Sequence, residues 1–147
     1  MPALNRTLVD QVAETCLCGY IQRASRALGK RFDRHMRPLG VNNWQFSLLM
    51  AVNLPSPPSI GGLSETLGMD HTTTTKNLTL LRRRGLVVVR RDGEDARVRR
   101  VALTPAGRAL IARAVPRWRA VNDAMIAKLT ADQLTCLRTA LEVIAQD

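Results

Sequence analysis

Leu63-Ser64-Glu65-Thr66-Leu67-Gly68-Met69-Asp70-His71-Thr72-Thr73-Thr74-Thr75-Lys76 is the stretch whose reading decides the fold. A short helix runs into Gly68, which supplies the left-handed stop that residues bearing a Cβ resist. Asp70 opens a second helix, its carboxylate accepting free amide protons of the first turn. Along that helix Thr74, Leu78 and Leu81 share one face, while Thr72, Thr73, Lys76 and Arg83 lie off it. Arg82-Arg83-Arg84 then leads to Gly85. Leu86 to Val89 reads as a strand, Arg90 to Arg97 as a charged turn, and Val98 to Leu103 as the returning strand.

Helix, tight turn, helix and basic hairpin is the layout of a winged helix-turn-helix. The fold class is therefore mostly α with a small β-wing. Upstream, apolar residues from Val9 to Leu28 recur at three- and four-residue steps, predicting one long helix from about Leu8 to Met36. Such length suggests that part of it packs outside its own subunit. A further helix starts with Asn43 as N-cap, and Leu54-Pro55-Ser56-Pro57-Pro58 forces a non-helical connection. Downstream, Thr104-Pro105 is a strong helix start, and Pro116 predicts a kink. Thr130-Ala131-Asp132-Gln133 resembles a capping box and opens the last helix. The chain divides as a single domain, 1–147. Its winged-helix lobe spans about 42–104, and N- and C-terminal dimerisation helices span about 8–38 and 105–146.

Of 147 residues, 22 are basic and 12 acidic, a net charge of +10. Between Arg82 and Arg119 stand twelve arginines against Asp92, Glu94 and Asp95, so almost the whole excess lies in one window. Such a field attracts polyanions. Single strands are usually held on aromatic platforms, yet the sole aromatic of this window is Trp118. Double-stranded DNA fits better. Helix residues Thr72, Thr73, Thr75, Lys76 and Arg83 suit the major groove and its phosphates. Arg91, Arg97 and Arg99 of the hairpin suit the adjacent backbone and minor groove. Asp92 shapes the turn and Asp95 orients Arg97.

The run from Met69 to Lys76, followed by Leu81-Arg82-Arg83-Arg84-Gly85-Leu86-Val87, resembles the recognition helix of MarR-family regulators. Asp92, Asp95 and Arg97, then Leu103-Thr104 and Gly107, match that family's wing and strand-exit pattern without a gap. The resemblance implies a homodimeric repressor on a pseudo-palindromic operator, released by a ligand or by oxidation. It also implies a major-groove role for Thr72, Thr73 and Lys76 and a minor-groove role for Arg97. Thr74 and Asn77 depart from the family, which usually has aliphatic residues there.

Effector chemistry is read at two places. Arg31, His35, Arg37 and Trp44 gather near the junction of the first two helices, a basic setting for an anionic aromatic ligand; ordinary junction packing explains them equally well. Leu17-Cys18 with Ala24-Ser25-Arg26 is similar to the peroxide-sensing branch of the family, placing Cys18 on the reactive cysteine. Phe32 and Asn43 stand where that branch carries hydroxyls. Cys16 falls on the apolar stripe and is expected in the core. Three cysteines form no disulfide scaffold, and Cys-x-Cys with His35 or His71 fits no common zinc pattern.

No nucleophile pattern, phosphate loop or carboxylate pair suggests an enzyme, and no cofactor or metal is expected. Asp10 and Glu14 interrupt any secretory apolar region. The longest stretch free of Asp, Glu, Lys and Arg, Pro38 to Ser64, holds prolines and glycines and spans no membrane. A cytoplasmic protein is expected. A non-DNA-binding interaction protein is the remaining alternative, and the dense arginine argues against it.

Overall fold

A computed structural model describes residues 6–146. In chain order they form α1 (Arg6–Thr15), α2 (Leu17–Met36), a 3-10 turn (Arg37–Leu39), α3 (Asn43–Val52), α4 (Ile60–Leu67) and α5 (His71–Arg83). Strands β1 (Val87–Arg91) and β2 (Arg99–Leu103) follow, then α6 (Pro105–Ile126) and α7 (Ala131–Ala145). The architecture is mostly helical with one small antiparallel hairpin, as the sequence predicts. No helix among the described residues is long and apolar enough to cross a membrane.

The core lies where α3, α5, the hairpin stem and the first half of α6 converge. Met36, Leu48, Leu49, Leu63, Leu78, Leu81, Val87 and Val101 are fully buried there. Removing such side chains from water is the main stabilising term, roughly 2 kcal/mol each. By contrast, α1 and α7 bury no residue. Leu8, Val9, Val12, Leu137, Leu141, Val143 and Ile144 remain exposed on them.

Three local expectations are corrected. The long first helix is two helices, broken at Cys16. That residue adopts an extended ψ of 101° and caps α2, its Sγ accepting the Gly19 amide at 3.3 Å. Cys16 is accordingly half-exposed rather than core. The cap of α3 is Asn42, not Asn43: Asn42 Oδ1 accepts the Gln45 amide at 2.8 Å while Gln45 Oε1 accepts the Asn42 amide at 3.2 Å. Reciprocal bonding of this kind satisfies two orphan amides at once. The Asn43 amide instead donates to Asp33 Oδ1 at 2.7 Å, tying α3 to α2. Asn42→Ala is expected to lower stability by about 1 kcal/mol in urea unfolding, and Asn43→Ala by much less.

The capping box of α7 forms as the sequence predicts, between Thr130 and Gln133. α6 continues as one helix through Pro116. At its start, Thr104 Oγ1 donates to the Gly85 carbonyl at 2.6 Å and accepts the Gly107 amide at 3.0 Å. Gly107 is required by contact rather than by dihedral angle. A Cβ there would lie 2.1 Å from the Leu86 carbonyl oxygen. The stem of the hairpin and α6 meet backbone to backbone at this point.

Candidate nucleic-acid interface

Gly68 ends α4 at φ 57°, and Asp70 caps α5 by accepting the Thr73 amide at 2.8 Å. The Thr73 hydroxyl and then its amide hold the Asp70 carboxyl below its ordinary value. Four consecutive threonines are poor helix formers. Besides this cap, α5 is stabilised by burial of Leu78 and Leu81, and by Thr74, which is 0% exposed. The Thr74 hydroxyl donates to the Asp70 carbonyl at 3.1 Å. That bond explains how a threonine is tolerated where the family carries an aliphatic residue. Asn77, the second departure, is half-buried and donates to the Thr73 carbonyl at 3.0 Å.

With one face of α5 fixed, helical spacing puts Thr72, Lys76 and Arg83 in line on the opposite face. All three are exposed, as are Thr73 and Thr75. The hydroxyls of Thr72 and Thr75 and the Lys76 ammonium have no hydrogen-bond partner among the described residues. A ridge of free donors thus runs along α5.

The hairpin pairs Val87 with Leu103, Val89 with Val101, Arg90 with Arg100 and Arg91 with Arg99. Alternation places Arg91 and Arg99 on the face of Val89 and Val101, towards α5. There a cleft of ≈ 320 Å³ separates wing from helix, lined by Thr75, Thr79, Arg82, Val89 and Arg99 among others. The sequence reading does not single out Arg82. Its spacing from Thr75 and Thr79, seven and three residues, is the signal that puts it on the wing side of α5.

At the hairpin tip Asp92 Oδ1 accepts the amides of Glu94 and Asp95 at 2.9 and 3.0 Å. Its Oδ2 takes the Nε–H of Arg100 at 2.5 Å. The Arg100 hydrogen bond, then the two amides, draws the Asp92 carboxyl from 3.8 down to about 2. A depressed carboxyl stabilises the fold above its unfolded value, and that contribution is lost only as pH falls from near 3.8 through about 2. Asp92 is therefore ionised, and able to hold Arg100 and the two amides, at neutral pH. Asp95 Oδ1 accepts the Arg97 amide at 2.9 Å, tying the backbone at Arg97 to the turn. The Arg97 guanidinium is left exposed and without a partner among the described residues.

Among the described residues the one ion pair is Arg100–Asp92. Arg83, Arg91, Arg97 and Arg99 have no carboxylate partner among the described residues. Arg84 serves the fold instead. Its guanidinium donates to the carbonyls of Gly40 and Leu39, fastening the end of α5 to the turn after α2.

Arg31, His35, Arg37 and Trp44 are all exposed. His35 Nδ1 lies 2.9 Å from the Arg31 carbonyl, and Arg117 donates to the His35 carbonyl at 3.5 Å. None of the four lines an apolar groove of ≈ 540 Å³ between α3 and α6, where Phe46, Met50, Ala51, Leu67, Trp118 and Arg119 meet. Cys18 is exposed, its Sγ accepting from Gln22 Nε2 at 3.1 Å. No group of three or more potential metal ligands gathers among the described residues.

A family model described as MarR family matches residues 39–98. The M. tuberculosis transcriptional regulator MosR, solved in complex with DNA, is 37% identical with a TM-score of 0.74, over 89% of this chain and 99% of that one. The transcriptional repressor CouR, bound to a 23-mer DNA duplex, is 28% identical with a TM-score of 0.79, over 88% and 92%. A MarR mutant from E. coli complexed with operator DNA is 21% identical and shares the fold, with a TM-score of 0.84 over 92% and 98%. No curated protein matches in sequence.

Proposed function

This chain belongs to the MarR family of DNA-binding transcriptional regulators, and from that premise we propose that it is a homodimeric cytoplasmic repressor of a pseudo-palindromic operator. The observation that carries the reading is the free cationic and hydroxyl ridge of α5 set beside a wing whose Arg97 has no partner among the described residues. In the proposed complex α5 enters the major groove, with Thr72, Thr73, Thr75 and Lys76 near base edges and phosphates. Arg83, Arg91 and Arg99 neutralise phosphates, and Arg97 enters the minor groove.

Dimerisation is supported by the uncovered apolar stripes of α1 and α7, near opposite ends of the chain. A second copy covers them and sets two α5 helices about one DNA turn apart. One copy alone reads only half of a two-fold site.

The effector reading is a small, anionic aromatic molecule. It is supported by the groove between α3 and α6, an apolar cleft with the Trp118 ring and one guanidinium, Arg119, at its wall. Ligand there bears on α3, in the winged-helix lobe, and on α6, the first helix of the C-terminal dimerisation segment. The basic junction of Arg31, His35, Arg37 and Trp44 offers charge, but none of its residues lines that groove, and it is the weaker of the two settings.

The second reading, a thiol switch at Cys18, is favoured by one observation: the exposed thiol sits in the first turn of α2, beside the break at Cys16. Oxidation to the sulfenic acid there would disturb the start of a helix that supports the dimer. A mobility-shift assay on DNA flanking its own gene, with aromatic carboxylic acids or peroxide added, separates the readings. Release by aromatic acid, with peroxide inert, is the expected result. Release by peroxide in the wild type but not in Cys18→Ser would replace the small-molecule effector with an oxidant.

A further inference from the structure

The wing stem sets arginine directly opposite arginine twice, Arg90 with Arg100 and Arg91 with Arg99. Like charges in that relation are destabilising, so the hairpin needs a reason to keep its aim. Residues 92–98 at the tip bond to one another through Asp92, Asp95 and Val98. Among the described residues, the single side-chain tie from that tip to the rest of the chain is Arg100 Nε to Asp92 Oδ2. The same guanidinium reaches the other way, Nη1 donating to the Pro57 carbonyl at 3.4 Å. At this level the backbone also joins: Arg100 bridges Ser59, and the Val101 amide donates to the Pro58 carbonyl at 2.9 Å. Pro57 to Ser59 lead straight into α4, which is fixed to α5 by the Gly68 turn. Arg100 thus connects the wing tip, the wing stem and the entry to the helix-turn-helix.

We propose that the Arg100–Asp92 pair is a positioning clasp. It sets the wing tip, and with it Arg97, at its distance from α5, so that operator recognition depends on two side chains that do not touch DNA. An isolated two-stranded ribbon is marginally stable and free to twist; this clasp ties the tip side of the ribbon to the stem, beyond the stem's backbone bond to Pro58. The sequence does not mark Arg100 out from the neighbouring wing arginines; its partners Asp92 and Pro57 show only in the packed hairpin. The proposal rests on the reading of Arg97 as the wing contact.

The test uses the tightest-binding duplex from the DNA flanking its own gene, and a scrambled duplex of equal length. Arg100→Lys keeps the charge but loses the fork that joins Asp92 to Pro57. It is expected to weaken binding to the first duplex about tenfold while leaving the scrambled duplex within about twofold. In an Arg97→Ala background the same change is expected to have no further effect, because the clasp acts through Arg97. The ratio of the two affinities, read on folded dimers below their melting temperature, does not move for a variant that is merely less stable. Wild-type affinity in Arg100→Lys, or equal losses on both duplexes, overturns the clasp and makes Arg100 an ordinary phosphate contact. A full additional loss in the Arg97→Ala background also overturns it. If Arg97→Ala alone binds like the wild type, the wing reading itself fails, a different result from any of these.

Discussion

The Arg97→Ala dimer is expected to bind its operator about a hundredfold more weakly than the wild type while folding as well. The guanidinium is exposed and unpartnered among the described residues, so its loss breaks nothing inside the chain. The backbone that presents it is held by Asp95 through the Arg97 amide, which alanine retains. In the proposed complex, what disappears is one groove contact in each of two subunits, each contributing about 1–2 kcal/mol. Two such losses in one dimer give the hundredfold. Fluorescence anisotropy on a labelled duplex at fixed salt measures the affinity, and thermal melting checks the fold. An affinity within twofold of the wild type would remove Arg97 from the interface.

Gly107→Ala is expected to be the most damaging conservative change in the chain, destabilising it by about 3 kcal/mol. The added methyl carbon would sit 2.1 Å from the Leu86 carbonyl oxygen. That oxygen cannot swing aside freely, because it accepts the Thr104 amide at 3.1 Å. The clash is relieved only by moving α6 away from the hairpin. Movement there shifts the wing on one side and the helix that leads to α7 on the other. A melting temperature roughly 6–12 °C lower is expected for a chain of this size, read at matched protein concentration because the proposed dimer would link stability to concentration. A melting temperature unchanged within about 2 °C would contradict the packing described for this junction.

Local chemistry explains how much was legible in advance. Gly68 as a stop, Asp70 and Thr104 as caps and the Thr130–Gln133 box act within four residues, and each stands where the sequence predicts. The choice of Asn42 over Asn43 turned on which of two neighbouring asparagines could trade bonds with Gln45, a matter of one residue of phase. The break at Cys16 was hidden because the periodicity of the apolar residues continues across it. Long-range ties were out of reach. Arg84 joining Leu39 and Gly40, and Arg100 joining Asp92 and Pro57, depend on how distant segments are packed and on strand register.

The candidate interface divides along the same line. The threonine ridge follows from helical spacing alone. Strand alternation alone separates Arg99 from Arg100, but which of them faces α5 needs the observed packing of the hairpin. The apolar groove is made where α3 meets α6, so residues more than sixty apart in sequence form it, Phe46 and Trp118 among them. The basic junction inferred from Arg31, His35, Arg37 and Trp44 reflected nearness in sequence instead.

The central claim is that two copies of α5 and the wing hold duplex DNA largely through unpaired cations. Its most direct measurement is operator affinity as a function of salt concentration. Each neutralised phosphate releases counterions and adds about one to the slope of log affinity against log salt. With Lys76, Arg83, Arg91, Arg97 and Arg99 offered by each subunit, the account predicts a steep fall, a slope on the order of −5 or steeper, at one dimer per duplex. An affinity that hardly changes between low and physiological salt, or saturation by one chain per duplex, would contradict it.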